Sequence, residues 1–124
     1  LDKKDYVEIL GTGNQIRHYT YGEDLAKGIV TLLEHPKAKN DDFNLSTSES
    51  TTVIDLAKLI WKKIRKNEEY NFKHIDPFMY DVQKRIPSTK KAKNILDFEA
   101  KTNLDSMLDI VIPWVVNAKK DGLY

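Results

Sequence analysis

The side chains most suited to chemistry occupy every second position of a short segment near the start of the chain. They are Gln15, Arg17, Tyr19 and Tyr21. In an extended chain these positions project to the same face, and a row of polar-tipped side chains on one face suits a wall that contacts a ligand. The planar guanidinium of Arg17 fits phosphate oxygens in a bidentate manner, which Lys does not match. The segment therefore predicts a ligand wall in which Arg17 binds phosphate.

Each of these side chains also has an ordinary structural interpretation. An Arg in a strand is most often a surface residue. Tyr19 and Tyr21 are suited to stacking on a ligand or to hydrogen bonding with it, but aromatic strand residues more often pack against their neighbours. Both interpretations stay open when the residues are taken alone.

Two glycines precede this segment. Gly11 and Gly13 match the first half of a dinucleotide-binding loop, but Ile16 stands where the third glycine belongs, and the pattern predicts no helix there. A tight turn between two strands is the better interpretation. We therefore predict that this chain carries no cofactor loop of its own.

The sequence gives little support for other catalytic or metal-binding sites. The chain has no cysteine, which excludes disulfides and thiolate metal sites. No serine lies in a nucleophile-elbow sequence. His18, His35 and His74 are far apart and lack the spacing of metal ligands. We predict neither a catalytic residue nor a metal site in this chain.

The composition is that of a globular protein. The 124 residues match the size of one domain, with 40% hydrophobic and 31% charged side chains. No apolar run approaches the roughly 18 residues of a membrane span, and no secretory leader precedes the first strand. A cytoplasmic protein without a membrane partner is therefore expected. The chain begins at Leu1 rather than at an initiator Met, as a piece cut from a longer protein would.

The charge balance argues against a nucleic-acid partner. Twenty basic and nineteen acidic residues give a formal charge of +1, whereas nucleic-acid binders usually carry a concentrated basic face. The nearest approach to such a face is flanked by the acids Asp81 and Asp97. It consists of Lys84, Arg85, Lys90, Lys91 and Lys93.

Periodicity and capping signals outline the elements that must position these residues. Strands are predicted over Tyr6–Leu10, Gln15–Tyr21, Phe43–Ser46 and Asn71–Asp76. Helices are predicted after the caps Thr20, Thr52, Ser88 and Thr102. Pro113 is expected to kink or break the last helix. Residues 78–87 are expected to form a loop.

Strands that alternate with helices indicate an α/β class, or an α+β-like arrangement. The strands are too few for a complete doubly wound sheet. We predict one small domain over residues 1–124, with short strands and about four helices.

The order of motifs resembles the second half of the extended short-chain dehydrogenase/reductase family, which contains nucleotide-sugar epimerases, 4,6-dehydratases and decarboxylases. The first motif of that family is Gly-x-Gly-x-Gln-x-Arg-x-aromatic-x-Tyr-x-x-Asp. It is matched by Gly11, Gly13, Gln15, Arg17, Tyr19, Tyr21 and Asp24. Later matches are Phe43-Asn44-Leu45, the Thr52-capped helix, and a segment with Asp81, Val82, Arg85, Pro87, Lys91 and Ala92. The likeness covers roughly residues 7–114.

The resemblance implies a function for the parent enzyme and for this part of it. The parent would hold NAD in an N-terminal Rossmann domain, upstream of this chain together with the catalytic Tyr-x-x-x-Lys. It would oxidise the sugar transiently at C4 before epimerisation, dehydration or decarboxylation. This part would bind a nucleotide-diphosphate sugar: Arg17 would contact the diphosphate, with Gln15, Arg85 and Tyr21 alongside. Members of the family are often homodimers.

Departures from the family pattern leave other interpretations open. Ser88 replaces a usual Asp, and Phe78 and Met79 stand where several members carry an Arg. One alternative is a non-catalytic ligand-binding or interaction module on the same fold. Another is an NADP-dependent reductase of the same superfamily. Under the favoured interpretation the 124 residues alone catalyse nothing.

Overall fold

The computed structural model describes residues 4–123, which divide into two compact units. The first unit contains the described residues up to His18 together with Ser50–Ile86, and the second contains Tyr19–Glu49 together with the described residues from Pro87 onward. The strands are β1 (Val7–Leu10), β2 (Ile16–Arg17), β3 (Thr51–Thr52) and β4 (Phe72–Ile75). The helices are α1 (Gly22–Glu34), α2 (Val53–Arg65), α3 (Lys90–Leu96) and α4 (Leu104–Lys120), with a 3₁₀ turn at Pro36–Ala38. The predicted mixture of short strands with four helices is confirmed.

The first unit contains two small sheets. Strand β1 pairs with β4 in parallel, with Val7 opposite Phe72 and Leu10 opposite Ile75. Strand β2 pairs with β3 in antiparallel fashion. Ile9, Ala57 and Trp61 are buried and form the apolar interior of this unit.

Gly11 and Gly13 form the turn between β1 and β2, as predicted. Both have positive φ, 63° and 76°, a region that glycine enters without steric cost. Gly13 also has no room for a side chain, because an added Cβ would lie 2.9 Å from Ile9 Cγ2 and 3.0 Å from Ile54 Cβ. Glycine at position 13 therefore permits both the turn and the close approach of α2.

Helix α2 begins directly on this turn. The backbone N–H of Val53 donates to the carbonyl of Gln15 at 3.1 Å, and that of Ile54 donates to the carbonyl of Gly13 at 3.0 Å. The Thr52 side chain accepts from the Asp55 N–H at 3.1 Å, which confirms the predicted cap. The first amides of the helix, which usually lack partners, are thus used to fix the turn.

The second unit is built around a cluster of apolar side chains from several segments. Ala38, Ala92, Leu96 and Phe98 are buried, and Leu32, Phe43, Leu45, Ile95 and Ala100 pack against them. Helix α1 contributes its Gly28 face, where an added Cβ would lie 2.7 Å from the Phe98 ring.

A carboxylate ties α1 to the segment before α4. Asp24 is 8% exposed and accepts a hydrogen bond from the Thr102 backbone N–H at 2.8 Å. Burial by itself raises the pKa of the Asp24 carboxyl, but hydrogen bonds from Thr102 and Lys101 outweigh it and hold the pKa below its ordinary value. These contacts give Asp24 a structural role, because they fix the segment before α4 to the first turn of α1.

The predicted start of α1 is wrong. The N-cap residue is Tyr21, and no side chain caps the helix. The Thr20 hydroxyl lies 3.3 Å from Ser46 Oγ and accepts from the Thr47 N–H, while Glu23 pairs with Lys27. Because both partners of the expected capping box are engaged elsewhere, the box does not form.

Two predicted strands also need correction. The segment Phe43–Ser46 is not a strand, because Phe43 and Leu45 pack on the core of the second unit without a backbone ladder in the described chain. The segment predicted over Gln15–Tyr21 is a strand only at β2, and residues 18–21 are irregular. The alternation of side chains correctly predicts that Phe43 and Leu45 are partly buried. It does not show whether a neighbouring strand is present to pair with the segment.

The caps of α3 and α4 lie one residue later than predicted. Thr89 rather than Ser88 precedes α3. Asn103 rather than Thr102 caps α4, where its side chain accepts from the Ser106 N–H at 2.9 Å. Thr102 is committed to Asp24, which leaves the capping position to its neighbour.

Helix α4 is continuous through Pro113, so the predicted break does not occur. Leu108 and Ala118 are buried on its inner face. None of the helices within residues 4–123 is both long and apolar enough to cross a bilayer.

Candidate functional site

Strand β2 carries the candidate site, and it is held on both sides. On one side its residues Ile16 and Arg17 pair with Thr52 and Thr51 of β3. On the other side Ile16 forms a parallel bridge with Lys84: the Ile16 N–H donates to the Gln83 carbonyl at 2.8 Å, and the Arg85 N–H donates to the Ile16 carbonyl at 3.1 Å. The loop that precedes Pro87 is therefore fixed to the strand that carries Arg17.

The carboxylate of Asp81 joins two of the predicted site residues. Gln15 Nε2 donates to Asp81 Oδ2 at 2.6 Å, and Arg17 Nη2 donates to Asp81 Oδ1 at 3.2 Å. Side chains two positions apart on an extended segment lie on one face, so the prediction that Gln15 and Arg17 share a face is confirmed. Asp81 was matched to a family motif, but no contact with Arg17 was predicted from the sequence, since nothing local signals a partner so distant along the chain.

Gln15 is the most enclosed member of this group, with 3% of its surface exposed. Its Nε2 also donates to the Leu10 carbonyl at 2.9 Å, so both amide hydrogens face acceptors. Gln15 Oε1 is buried and has no hydrogen-bond partner within residues 4–123. Rotating the amide would turn this oxygen toward the Leu10 carbonyl and the Asp81 carboxylate, which is unfavourable. The orientation of Gln15 is thus fixed by its two acceptors.

Arg17 is oriented but not saturated. Nη1 donates to the Ile16 carbonyl at 2.9 Å, and the side chain is 25% exposed in its ion pair with Asp81, whose own side chain is 17% exposed. A guanidinium has five N–H groups, so hydrogen-bonding capacity remains for an anion. A guanidinium held this way loses less conformational freedom when it binds.

Arg85 lies beside Arg17 across the bridge. Its backbone is fixed by the Ile16 carbonyl, and its side chain is exposed. In a parallel pair, residues one step beyond bridged partners are neighbours on the same face. The hydrogen bond from the Arg85 N–H to the Ile16 carbonyl thus places the backbone of Arg85 next to the residue that precedes Arg17.

Tyr21 belongs to the second unit, where it is the N-cap residue of α1. It is partly exposed. Its predicted contact with a ligand remains a prediction.

The Gly11–Gly13 turn does not fit a dinucleotide. The turn leads into β2 rather than into a helix, and the nearest helical amides, those of Val53 and Ile54, already donate to carbonyls of this segment. A dinucleotide loop needs free amides at a helix N-terminus to bind the pyrophosphate. NAD therefore has no cradle in this turn.

The spacing Tyr-x-x-x-Lys, expected only upstream, also occurs at Tyr80 and Lys84. The structure places both in the irregular segment between β4 and α3, with Tyr80 90% exposed in a turn. A Tyr and a Lys four residues apart share a face on a helix, and this segment is not helical. The spacing at Tyr80 and Lys84 therefore lacks the geometry of a catalytic pair.

Comparison with known proteins identifies the family. A sequence model described as GDP-mannose 4,6 dehydratase matches residues 1–111. This chain belongs to the GDP-mannose 4,6 dehydratase family. The relation to nucleotide-sugar epimerases, dehydratases and decarboxylases predicted from the motifs is confirmed for this family member.

Relatives carry several of these activities in their names. UDP-glucuronic acid decarboxylase 2 of Arabidopsis thaliana is 29% identical over 110 residues, which are 89% of this chain and 24% of the relative. The crystal structure of a UDP-glucose 4-epimerase from Thermotoga maritima, determined with UDP-glucose, is 30% identical with a TM-score of 0.79, covering 91% of this chain and 35% of the epimerase.

A third similar protein was solved with a nicotinamide cofactor. The UDP-glucuronic acid 4-epimerase of Bacillus cereus, in complex with UDP-glucuronic acid and NAD, has a TM-score of 0.80 at 21% identity, which shows a shared fold. It covers 96% of this chain and 36% of the epimerase. The GDP-mannose 4,6 dehydratase family member described here thus spans about a quarter of the decarboxylase and about a third of the two epimerases.

Proposed function

We propose that this chain is the substrate-side, C-terminal part of an NAD-dependent nucleotide-sugar epimerase or dehydratase. Its role would be to bind the diphosphate of the nucleotide sugar through Arg17, with Gln15 and Arg85 beside it. The observation that supports this most is the pair of hydrogen bonds by which Asp81 holds Gln15 and Arg17 on one face of β2.

Gln15, Arg17 and Asp81 form the cluster around Asp81. The charges in and next to this cluster suit a diphosphate. Arg17 pairs with one carboxylate, that of Asp81, and the backbone of Arg85 is bonded to the neighbouring Ile16, so these three side chains carry a formal net charge of +1. Arg17 retains N–H groups that can contact phosphate oxygens in a bidentate manner. The carboxylate supports this contact indirectly, because it keeps the long Arg17 side chain from sampling other orientations.

The cofactor and the chemical step belong elsewhere in the parent enzyme. Since the Gly11–Gly13 turn has no cradle for a dinucleotide, NAD would be bound by an N-terminal Rossmann domain, which would also supply the catalytic Tyr–Lys pair. The residues of this chain would bind the substrate and orient it. The reaction that follows, epimerisation, dehydration or decarboxylation, is then set by groups outside the cluster around Asp81.

Titration of the full-length protein with UDP-glucose tests the phosphate role. Arg17→Ala is expected to lower the affinity by about tenfold to a hundredfold, because a lost hydrogen bond to a charged group costs about 1.5–3 kcal/mol. Arg17→Lys is the matched control: it keeps the charge but loses the bidentate geometry, and an intermediate affinity is expected.

Two outcomes would contradict the proposal at different levels. An Arg17→Ala affinity equal to that of the unchanged protein, measured by calorimetry, would remove the phosphate role. A full-length protein that binds UDP-glucose together with NAD but converts the nucleotide sugar to no product, as measured by chromatography, would favour a non-catalytic binding module.

A further inference from the structure

Next to the cluster around Asp81 lies an exposed apolar tip, which we define as Phe78, Met79 and Tyr80. Their exposed fractions are 68%, 85% and 90%. Single exposed apolar residues are ordinary on protein surfaces, but three large ones in succession mark a binding surface or another interaction site. None of the three side chains is part of the buried interior of the first unit.

One end of the segment that carries this tip contacts the glycine turn, and the other end contacts the candidate phosphate site. On the N-terminal side, Pro77 lies against the turn, so that a Cβ added to Gly11 would be 3.2 Å from Pro77 Cβ. On the C-terminal side, Asp81 follows Tyr80 directly and is held by Gln15 and Arg17. Tyr80 is therefore the residue next to the carboxylate that holds the guanidinium of Arg17.

We propose that the apolar tip receives the planar base of the nucleotide whose diphosphate Arg17 binds, with the rings of Phe78 and Tyr80 as the stacking surface. This proposal rests on the proposed function. A nucleoside diphosphate joins its anionic and its planar aromatic parts through a single ribose, so a site for both must place cations and exposed rings side by side. Strand β2 supplies the cation, and the residue before Asp81 supplies a ring.

The combination of charges and rings favours a nucleotide over a protein partner for the tip. Base stacking on aromatic side chains tolerates an exposed, shallow surface, because every base presents a flat π-face. A sugar phosphate without a base would use Arg17 but would leave the tip in water. The tip would therefore add affinity for the nucleotide and would be indifferent to pyrophosphate.

The test compares UDP with inorganic pyrophosphate in the full-length protein. The variant Phe78→Ala/Tyr80→Ala is expected to weaken UDP binding by about 5-fold to 150-fold, as for the loss of stacking on one base, and to leave pyrophosphate affinity unchanged. The conservative variant Tyr80→Phe keeps the ring and is expected to bind UDP as the unchanged protein does. Leu33→Ala, at an exposed apolar residue of the second unit, is the control for unspecific surface effects.

Each failure has a distinct signature. If the double variant binds UDP normally while Arg17→Ala binds it weakly, the stacking proposal is wrong and the phosphate role stands. Equal losses for UDP and pyrophosphate in the double variant would mean that the tip acts only through Asp81 and Arg17, which also overturns stacking. A changed oligomeric state in the double variant with normal UDP affinity would assign the tip to a protein contact. Normal affinities in Arg17→Ala, by contrast, would remove the proposed function itself.

Discussion

Asp24 in the second unit and Asp81 in the first unit are both shielded carboxylates, but they have different kinds of partner. Asp24 accepts from the backbone N–H of Thr102, next to a packed apolar cluster. Asp81 accepts from the side chains of Gln15 and Arg17, beside an exposed loop. A carboxylate bound to backbone amides fixes the course of the chain, whereas one bound to polar side chains fixes the orientation of those side chains. The contacts of Asp24 therefore hold segments of the second unit together, whereas the contacts of Asp81 orient the two side chains that the proposed function assigns to phosphate binding.

The same substitution in each unit gives the largest expected contrast. Phe98→Ala removes a buried ring from the second unit and is expected to lower the free energy of unfolding by about 3–5 kcal/mol. Phe78→Ala removes an exposed ring from the first unit and should change it by less than about 0.5 kcal/mol. Denaturant unfolding of both variants checks this difference, and equal losses would abolish the contrast between the units.

Two glycines extend the comparison: Gly13 in the turn of the first unit and Gly22, the first residue of α1, in the second unit. Gly13→Ala requires a left-handed backbone at about 1–2 kcal/mol and overpacking against Ile9 and Ile54 at about 1–3 kcal/mol. Gly22→Ala is the control, because an added Cβ there meets nothing within 4 Å. Thermal unfolding should show a large loss of stability for Gly13→Ala and no loss for Gly22→Ala.

The pH dependence of stability tests the role of the Asp24 carboxylate. The folded-state pKa of Asp24 lies below its ordinary value, so the charged form stabilises the fold above about pH 4. This contribution disappears as the pH falls through the lowered pKa. Asp24→Asn should cost about 1–1.5 kcal/mol at pH 7, the difference between a charged and a neutral hydrogen bond.

Unfolding of Asp24→Asn at pH 7 and at pH 3 provides the measurement. The gap between the variant and the unchanged protein should narrow at pH 3. A gap of constant size would mean that the charge of Asp24 does not contribute.

The smallest effect concerns two threonines that the sequence presents as equivalent caps. Thr52→Ala removes the cap of α2 and should cost about 1 kcal/mol, while Thr52→Ser should cost little. In Thr20→Ala the helix content of α1 should be unchanged, since no side chain caps that helix. Circular dichroism and thermal unfolding distinguish the two, and a frayed α1 in Thr20→Ala would restore the capping box.

The sequence predicts local features of this protein well and long-range partners poorly. The turn at Gly11 and Gly13, the cap at Thr52 and the presence of a strand within residues 71–76 follow from neighbouring residues, and the structure confirms them. Thr20 and Thr102 carry the same local capping signals, but each is committed to a residue far along the chain. A local sequence pattern does not show whether a distant residue will bind the side chain or backbone of a predicted cap.

The candidate site shows the same limit. Alternation was enough to place Gln15 and Arg17 on one face, because strand geometry is local. The role of Asp81 in holding them depends on the backbone bridge between Ile16 and Lys84, which joins segments distant in sequence. The exposure of Phe78 and Tyr80 is likewise a property of the folded loop, although their position immediately before Asp81 was visible in the sequence.

The attachment of α2 to the glycine turn links hydrogen exchange to the ligand site. The amides of Val53 and Ile54 are protected only while the carbonyls of Gln15 and Gly13 keep their positions, and those carbonyls belong to the segment that orients Arg17. Local opening of this segment would expose both amides together, since contiguous units open cooperatively. The hydrogen-exchange rates of these two amides at the start of α2 therefore indicate how firmly the Arg17 guanidinium is held on β2.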